Sequence, residues 1–357
     1  MTDGIAKTAD ERAPSHGGQL RAAAACYGIP VDQWLDLSTG INPQSWPVPH
    51  LPAQVWQRLP EDEDGLIAAA QAYYGTRDVL PVAGSQAAIQ ALPKVCVDGP
   101  GRVGVLNLAY AEHAYAWRRA GHVVVPLAVD EIDAALPTLA VLVIVNPNNP
   151  TGVCFAPETL LAWHAQLAAR NAWLIVDEAF VDTTPQRSLA HWSPRPRLVV
   201  LRSLGKFFGL AGARVGFALA EQALLERLAN QLGPWTLAGP ARLVAQQALV
   251  DRPWQDATRQ RLAQSTQRLA DLLERSGLVP AGGSALFQWV VTPRATRLHE
   301  QLARRAILTR LFDVPLSLRF GLPGDEADWQ RLGIALAESM ATMAAPNCVI
   351  ESIGMRD

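Results

Sequence analysis

The sequence predicts an α/β fold, with a mostly parallel central sheet in a large domain and a smaller α+β domain at the C-terminus. Three observations carry this expectation. Short apolar runs alternate with helical stretches between residues 79 and 201, the pattern of a parallel sheet covered on both faces. Polar residues suited to chemistry follow directly on three of those runs, at the strand ends where open α/β sheets bind ligands. After residue 220 the chain turns to long Leu/Ala/Gln/Arg-rich helices with two later strand-like runs. The 357 residues suit about two domains at roughly 150 residues each.

The elements follow in order. Residues 1–13 read as a flexible tail. Residues 14–45 read as an N-terminal segment associated with the small domain and the active site. It is irregular apart from a helical stretch at 19–27 and an apolar piece at 34–38. The large domain is expected over 46–235. An alanine-rich run predicts a helix at 65–74, and a strand at 79–83 leads through Gly84 and Ser85 into a helix ending near 97. Apolar or β-branched runs at 103–107, 122–127, 141–145, 173–176 and 198–201 predict strands. Helical spacing recurs at 111–120 and 158–171. The small domain is expected over 236–357, after a helix at 221–232. One long helix at 239–277, a Gly-Gly-Ser turn at 282–284, a strand at 285–291, a helix near 296–305, a strand at 316–320 and a last helix at 325–343 build it.

Composition excludes several classes. Lys+Arg is 31 and Asp+Glu is 33, so the near-zero net charge argues against bulk electrostatic nucleic-acid binding. No apolar stretch is long enough for a membrane span, and Met1 to Ser15 lacks a signal-peptide core. The four cysteines are widely spaced and no histidine pair has metal-ligand spacing. Neither a disulfide framework nor a metal site is therefore expected, and a cytoplasmic setting is the simplest. Only three of the 31 basic residues are lysines (Lys7, Lys94 and Lys206), so chemistry that needs an amine has three candidates.

Three strand ends supply the functional residues. N-P-N-N-P-T-G, from Asn146 to Gly152, follows the first. D-E-A-F, from Asp177 to Phe180, follows the second. S-L-G-K, from Ser203 to Lys206, follows the third and continues to Arg214. An amide, a carboxylate and an amine thus converge on one crevice.

In this ordered set the sequence resembles the fold-type I pyridoxal-phosphate (PLP) enzymes, the aspartate aminotransferase superfamily, over roughly residues 15–345. The resemblance implies that Lys206 forms the imine with the PLP aldehyde and that Asp177 keeps the pyridine nitrogen protonated. It implies that Asn149 hydrogen-bonds the ring hydroxyl and that Tyr110 stacks on the ring. Gly84, Ser85 and Gln86, with Ser203 and Arg214, would cradle the cofactor phosphate at a helix N-terminus. Arg319 would fork a substrate carboxylate. The resemblance also implies a homodimer.

Two groups within the superfamily are closest in pattern, histidinol-phosphate aminotransferases and the threonine-phosphate decarboxylases of the cobalamin pathway. S-H-G-G, from Ser15 to Gly18, and L-D-L-S-T-G-I-N-P, from Leu35 to Pro43, resemble the decarboxylases. Phe180 stands where transaminases of this fold often carry a tyrosine. The expected reaction is therefore loss of CO2 from L-threonine O-3-phosphate, giving (R)-1-amino-2-propanol O-2-phosphate. The alternative is amino-group transfer on histidinol phosphate or another amino acid. His16, Gly17, Gly18, Asn42 and Arg319 are the expected substrate-binding residues, together with a further arginine for the substrate phosphate. The pattern is broken at Gly205, where relatives carry Ser or Thr. It is broken again at Leu59, near a tyrosine that reaches the partner subunit in this fold.

Overall fold

The computed structural model describes residues 13–344, so residues 1–12 of the expected tail and Cys348 lie outside the described residues. The N-terminal segment holds helix α1 (Leu20–Tyr27) and strand β1 (Leu35–Asp36). Helices α2 (Gln54–Gln57) and α3 (Leu66–Tyr74) follow. The next stretch alternates: β2 (Val79–Val82), α4 (Ser85–Cys96), β3 (Arg102–Leu106), α5 (Ala111–Arg119), β4 (Val123–Leu127), α6 (Ile132–Ala135) and β5 (Val141–Val145). Then come α7 (Pro157–Ala168), β6 (Trp173–Asp177), β7 (Leu198–Ser203) and β8 (Gly216–Ala220).

Strands β2 to β8 form one seven-stranded sheet in the order β2-β8-β7-β6-β5-β3-β4. Strands β3 to β7 pair in parallel, whereas β8 runs antiparallel to both β7 and β2. The central strands β5 to β8 are buried on both faces, as their continuous apolar runs require. Along β5, Leu142 and Ile144 enter one core and Val141 and Val143 the other. The register pairs Val145 with Asp177 and Asp177 with Leu201. The C-terminal ends of β5, β6 and β7 therefore stand side by side, and the residues that follow them share one rim.

The remaining elements are α8 (Gln222–Leu232), α9 (Gly239–Val250), α10 (Arg252–Arg275), β9 (Gly282–Ser284), β10 (Phe287–Val291), α11 (Ala295–Ala303), β11 (Ile307–Leu308), β12 (Arg310–Asp313), β13 (Leu316–Gly321) and α12 (Glu326–Ala344). Strands β12, β13, β10 and β9 form an antiparallel sheet in that order. Strand β1 pairs in parallel with β11, which joins the N-terminal segment to this second sheet region.

The structure departs from the sequence reading in four places. The helix expected at 239–277 is two helices, because Asp251 caps a new one through Trp254 N–H at 3.1 Å and Pro253 cannot continue the old one. Residues 282–284 are a strand rather than a turn. Strand β8 and the short strands β11 and β12 were not expected. Strand β8 is fixed by β7 and by the distant β2, β11 by the distant β1, and β12 by a hairpin with β13.

Candidate active site

The nine residues expected to touch the cofactor, Gly84, Ser85, Gln86, Tyr110, Asn149, Asp177, Ser203, Lys206 and Arg214, all line one cavity. Val145, Ala179, Phe180, Gly205 and Ala211 complete its wall.

One end of the cavity is built for an anion. Gly84 precedes α4 with φ 71°, a left-handed backbone that favours glycine. A Cβ there would lie 2.7 Å from Arg214 Nη2, so the missing side chain is also what admits the guanidinium. Arg214 is itself held in the left-handed region, φ 54°, and donates to Ala211 O at 3.1 Å. A helix N-terminus, its first N–H groups and a guanidinium thus meet at one point. Gly216 is required by the same approach, since a Cβ there would come within 2.4 Å of Ser85 N. Ser203 Oγ accepts from Gly205 N–H at 3.2 Å, which leaves its own proton free to donate.

Asp177 ends β6 and is buried. Its Oδ1 accepts the Ala179 N–H at 3.0 Å and its Oδ2 meets His113 Nε2 at 2.9 Å. His113 is a residue that the sequence did not single out. Its spacing could have found it, because His113 lies three residues after Tyr110, the residue that caps α5. The neighbouring Glu178 faces away from the cavity. It is fully buried and accepts from Ser188 Oγ at 2.5 Å, Leu189 N–H at 2.6 Å and Arg202 Nη1 at 2.9 Å.

Lys206 follows β7 in a short loop that the N-terminal segment clamps. Asn42 N–H donates to Lys206 O at 3.0 Å, and Asn42 Nδ2 donates to Phe207 O at 2.9 Å. The Lys206 amine lies 5.6 Å from the centre of the Phe180 ring. Burial, and then the charges of Arg319 and Arg214, push its pKa from 10.5 down to about 8, against the opposing pull of Asp177.

Arg319 lies on β13 and is buried. Its Nη1 donates to Asn149 Oδ1 and its Nη2 to Ser38 O at 2.7 Å. The first contact turns the Asn149 amide so that its NH2 remains for another acceptor. Arg319 Nε is buried without a hydrogen-bond partner. Burial, with Arg310 nearby, lowers the Arg319 pKa to about 10, which leaves it charged at neutral pH.

The five expected substrate residues divide. Arg319 reaches the cavity residue Asn149. His16 lies over the rim, bonded to Glu112 Oε1 at 2.8 Å with its ring 5.9 Å from that of Tyr110. Gly17 lines a neighbouring surface cavity with His16, Ser38 and Arg310. Gly18 and Asn42 are held by partners within the protein. The Gly18 N–H is already donated to Ser38 Oγ at 2.7 Å, so Gly18 shapes the turn, with φ 80°, instead of offering a donor. Asn42 does not line the cofactor cavity. Its Nδ2 goes to Phe207 O and its Oδ1 accepts from Gln44 N–H at 3.0 Å, so its amide positions the lysine loop.

Sequence reasoning missed Glu112 and Arg310. Glu112 accepts from His16, Gln86 and Gln90. Arg310 pairs directly opposite Arg319 across β12 and β13. No local motif marks either one.

The donor set fits PLP. An anion cradle stands at one end, a buried carboxylate and a free amide NH2 line the wall, and a desolvated amine stands beside them. The family model for aminotransferase class I and II matches residues 61–336, and the chain belongs to that family. It is 61% identical over 321 residues to a threonine-phosphate decarboxylase of Pseudomonas aeruginosa, covering 90% of this chain and 96% of that one. A threonine-phosphate decarboxylase of Sinorhizobium sp is 44% identical over 331 residues, covering 90% of this chain and 97% of the relative. Among solved structures, histidinol-phosphate aminotransferase from Sinorhizobium meliloti in complex with pyridoxal-5'-phosphate superimposes with a TM-score of 0.80 at 20% identity. That match covers 93% of this chain and 99% of the other.

Proposed function

We propose that this chain is a PLP-dependent decarboxylase that converts L-threonine O-3-phosphate into (R)-1-amino-2-propanol O-2-phosphate and CO2, serving cobalamin biosynthesis. The observation that carries the reading is 61% identity to a threonine-phosphate decarboxylase across nearly that protein's whole length. The experiment that tests it is a product assay with purified holoenzyme. CO2 release from threonine phosphate is expected. Glutamate formation from 2-oxoglutarate and an amino donor, without CO2, would overturn the reading in favour of an aminotransferase.

Bound in the cavity, PLP supplies an aldehyde that condenses with amines and a ring that takes up the electron pair left when CO2 departs from Cα. The protein's residues do the rest. The Gly84–Ser85–Gln86 turn, Ser203 and Arg214 would hold the phosphate. Asp177 would hold a proton at the pyridine nitrogen, with His113 keeping that carboxylate in place. Asn149 Nδ2, oriented by Arg319, would donate to the ring hydroxyl. Tyr110, on the cavity wall, would face the ring. Its hydroxyl pKa is raised by burial first and by Glu112 next, so it stays protonated. Lys206 holds the cofactor before substrate arrives and returns a proton to Cα after CO2 has left. Phe180 offers no hydrogen bond, so Asn149 alone of these two positions bonds the hydroxyl.

The substrate carries two anionic groups, and the structure pairs two arginines directly across β12 and β13. Like charges directly across an antiparallel pair are unfavourable unless an anion neutralises them. Arg319 takes the carboxylate, using the Nε that has no hydrogen-bond partner among the described residues. Arg310 takes the phosphate, together with His16 and the Gly17 backbone. In the structure Arg310 donates to Ser15 O at 2.7 Å and Ser15 Oγ at 2.8 Å, and its guanidinium stacks on Phe312. Replacing Arg310 by alanine is expected to raise KM for threonine phosphate by about tenfold or more, since a hydrogen bond to a charged group is worth about 1.5–3 kcal/mol. Steady-state kinetics on the phosphorylated and unphosphorylated amino acid checks this, and an equal loss on both would refute it.

The enzyme is proposed to act as a cytoplasmic homodimer. No helix among the described residues is long and apolar enough to cross a membrane. Trp56 and Leu59 are 68% and 64% exposed, beside a groove between α2 and α9. A second copy covering this face would remove both side chains from water. Sedimentation should show a dimer for the natural chain and a monomer for Trp56→Glu. A monomeric, fully active natural chain would contradict the assignment.

A further inference from the structure

Glu112 stands on the first turn of α5, and its side chain is only 8% exposed. A buried carboxylate is costly unless donors surround it. Three do: Gln86 Nε2 at 2.5 Å, Gln90 Nε2 at 2.8 Å and His16 Nε2 at 2.8 Å. Gln86 in turn accepts from Tyr110 OH at 3.1 Å. One carboxylate therefore ties together the helix at the cofactor cavity, the ring beside it and the N-terminal strap. The two glutamines are neutral. His16 is the one donor of the three that can carry charge.

A carboxylate only accepts, so His16 Nε2 carries a proton and Nδ1 is left for a second partner. The His16 side chain is 43% exposed and shares its surface cavity with Arg310. We infer that Glu112 is a positioning residue for the substrate's phosphate subsite: it holds His16 Nε2 and fixes the ring over the rim, beside Arg310. The inference rests on the decarboxylase reading, and it adds the residue that places the His16 ring in that subsite.

Other charged or titratable groups face this cavity. Arg310 comes from β12, His299 from α11, and Cys26 and Tyr27 from α1. Asp36 on β1 acts through Ser38, whose Oγ it accepts at 2.5 Å. The Tyr27 hydroxyl donates to Glu300 at 2.6 Å, and burial helps push its pKa up to about 12, so it stays neutral through the assay range. Burial lowers the His299 pKa, and its ring is engaged with Thr309 Oγ1 at 2.8 Å. Among the described residues, Glu112 is the group bonded to the His16 ring.

The test measures KM and kcat for Glu112→Gln, using L-threonine O-3-phosphate and unphosphorylated L-threonine. KM for the phosphorylated substrate is expected to rise about tenfold, equivalent to about 1.4 kcal/mol. The loss should sit in KM more than in kcat, and KM for threonine should move less. Adding Glu112→Gln to a His16→Ala background should add nothing. A second variant, His16→Gln, keeps a donor to Glu112, and its KM should rise less than that of His16→Ala. Equal losses on both substrates, a loss in kcat alone, or additivity with His16→Ala would assign Glu112 a purely structural role. Inorganic phosphate binding to the holoenzyme, followed by calorimetry, gives a readout separate from turnover. If the natural chain releases no CO2 but Glu112→Gln still weakens phosphate binding, the decarboxylase reading fails and the subsite stands. If turnover is normal and phosphate binding is unchanged in Glu112→Gln, the subsite fails and the decarboxylase reading stands.

Discussion

Lys206→Ala is expected to abolish CO2 release from threonine phosphate, a loss of at least about 10⁴-fold, because both the cofactor's amine partner and the proton carrier at Cα disappear. Lys94 cannot replace it, because it lies near the far end of α4 from the cavity. The chain should remain folded, since the substitution removes a buried amine that makes no ion pair and leaves the Gly84–Arg214 cradle untouched. Measured by activity and by the visible absorbance of the cofactor, the variant should bind PLP without the covalent link. Residual turnover within tenfold of the natural chain would remove Lys206 from its role. The lowered pKa adds a pH signature. In the folded apoenzyme the amine becomes neutral above about pH 8, whereas in the unfolded chain it does so near 10.5. Between these values the unfolded state binds the extra proton, so apoenzyme stability rises with pH across that window. Below pH 8 the amine is charged in both states and the cost of burying it is fully present. Denaturant titrations should show the rise in the natural apoenzyme and lose it in Lys206→Ala.

Asp177→Asn is expected to lower kcat by about 10²–10³-fold or more, the scale set by removing one preorganised electrostatic partner from an active site. The substitution is nearly isosteric. An asparagine Oδ1 can keep the Ala179 N–H, so the turn after β6 should survive. What disappears is the negative charge that, on the proposed reading, would keep the pyridine nitrogen protonated. His113 Nε2 then faces an amide instead of a carboxylate. Single-turnover kinetics should place the loss in the chemical step, and thermal melting should show the fold intact. A change in KM with unaltered kcat would mean that Asp177 only shapes the pocket.

The sheet was legible because β5, β6 and β7 are buried on both faces and so had to be written as unbroken apolar runs. The residues after those runs were legible for the same reason, since polar groups at the ends of fully apolar strands stand out. The nine residues expected at the cofactor accordingly line one cavity. Strand β8 was not legible, although Gly216–Ala220 is apolar, because it runs antiparallel and its edges depend on β2 and β7. The break at Asp251 was missed because a long helical composition outweighed a single Pro253. Asn42 carried a motif but not its partner, and only its hydrogen bonds to Phe207 and Gln44 assign it to the lysine loop.

The sequence by itself determined the α/β class and the three strand ends that present Asn149, Asp177 and Lys206, because each is encoded by residues adjacent in the chain. The tertiary structure alone decided what surrounds them. His113 meets Asp177 across 64 residues, and His16 meets Glu112 across 96. Those contacts depend on how elements pack over long separations, and no local pattern of residue types carries that information.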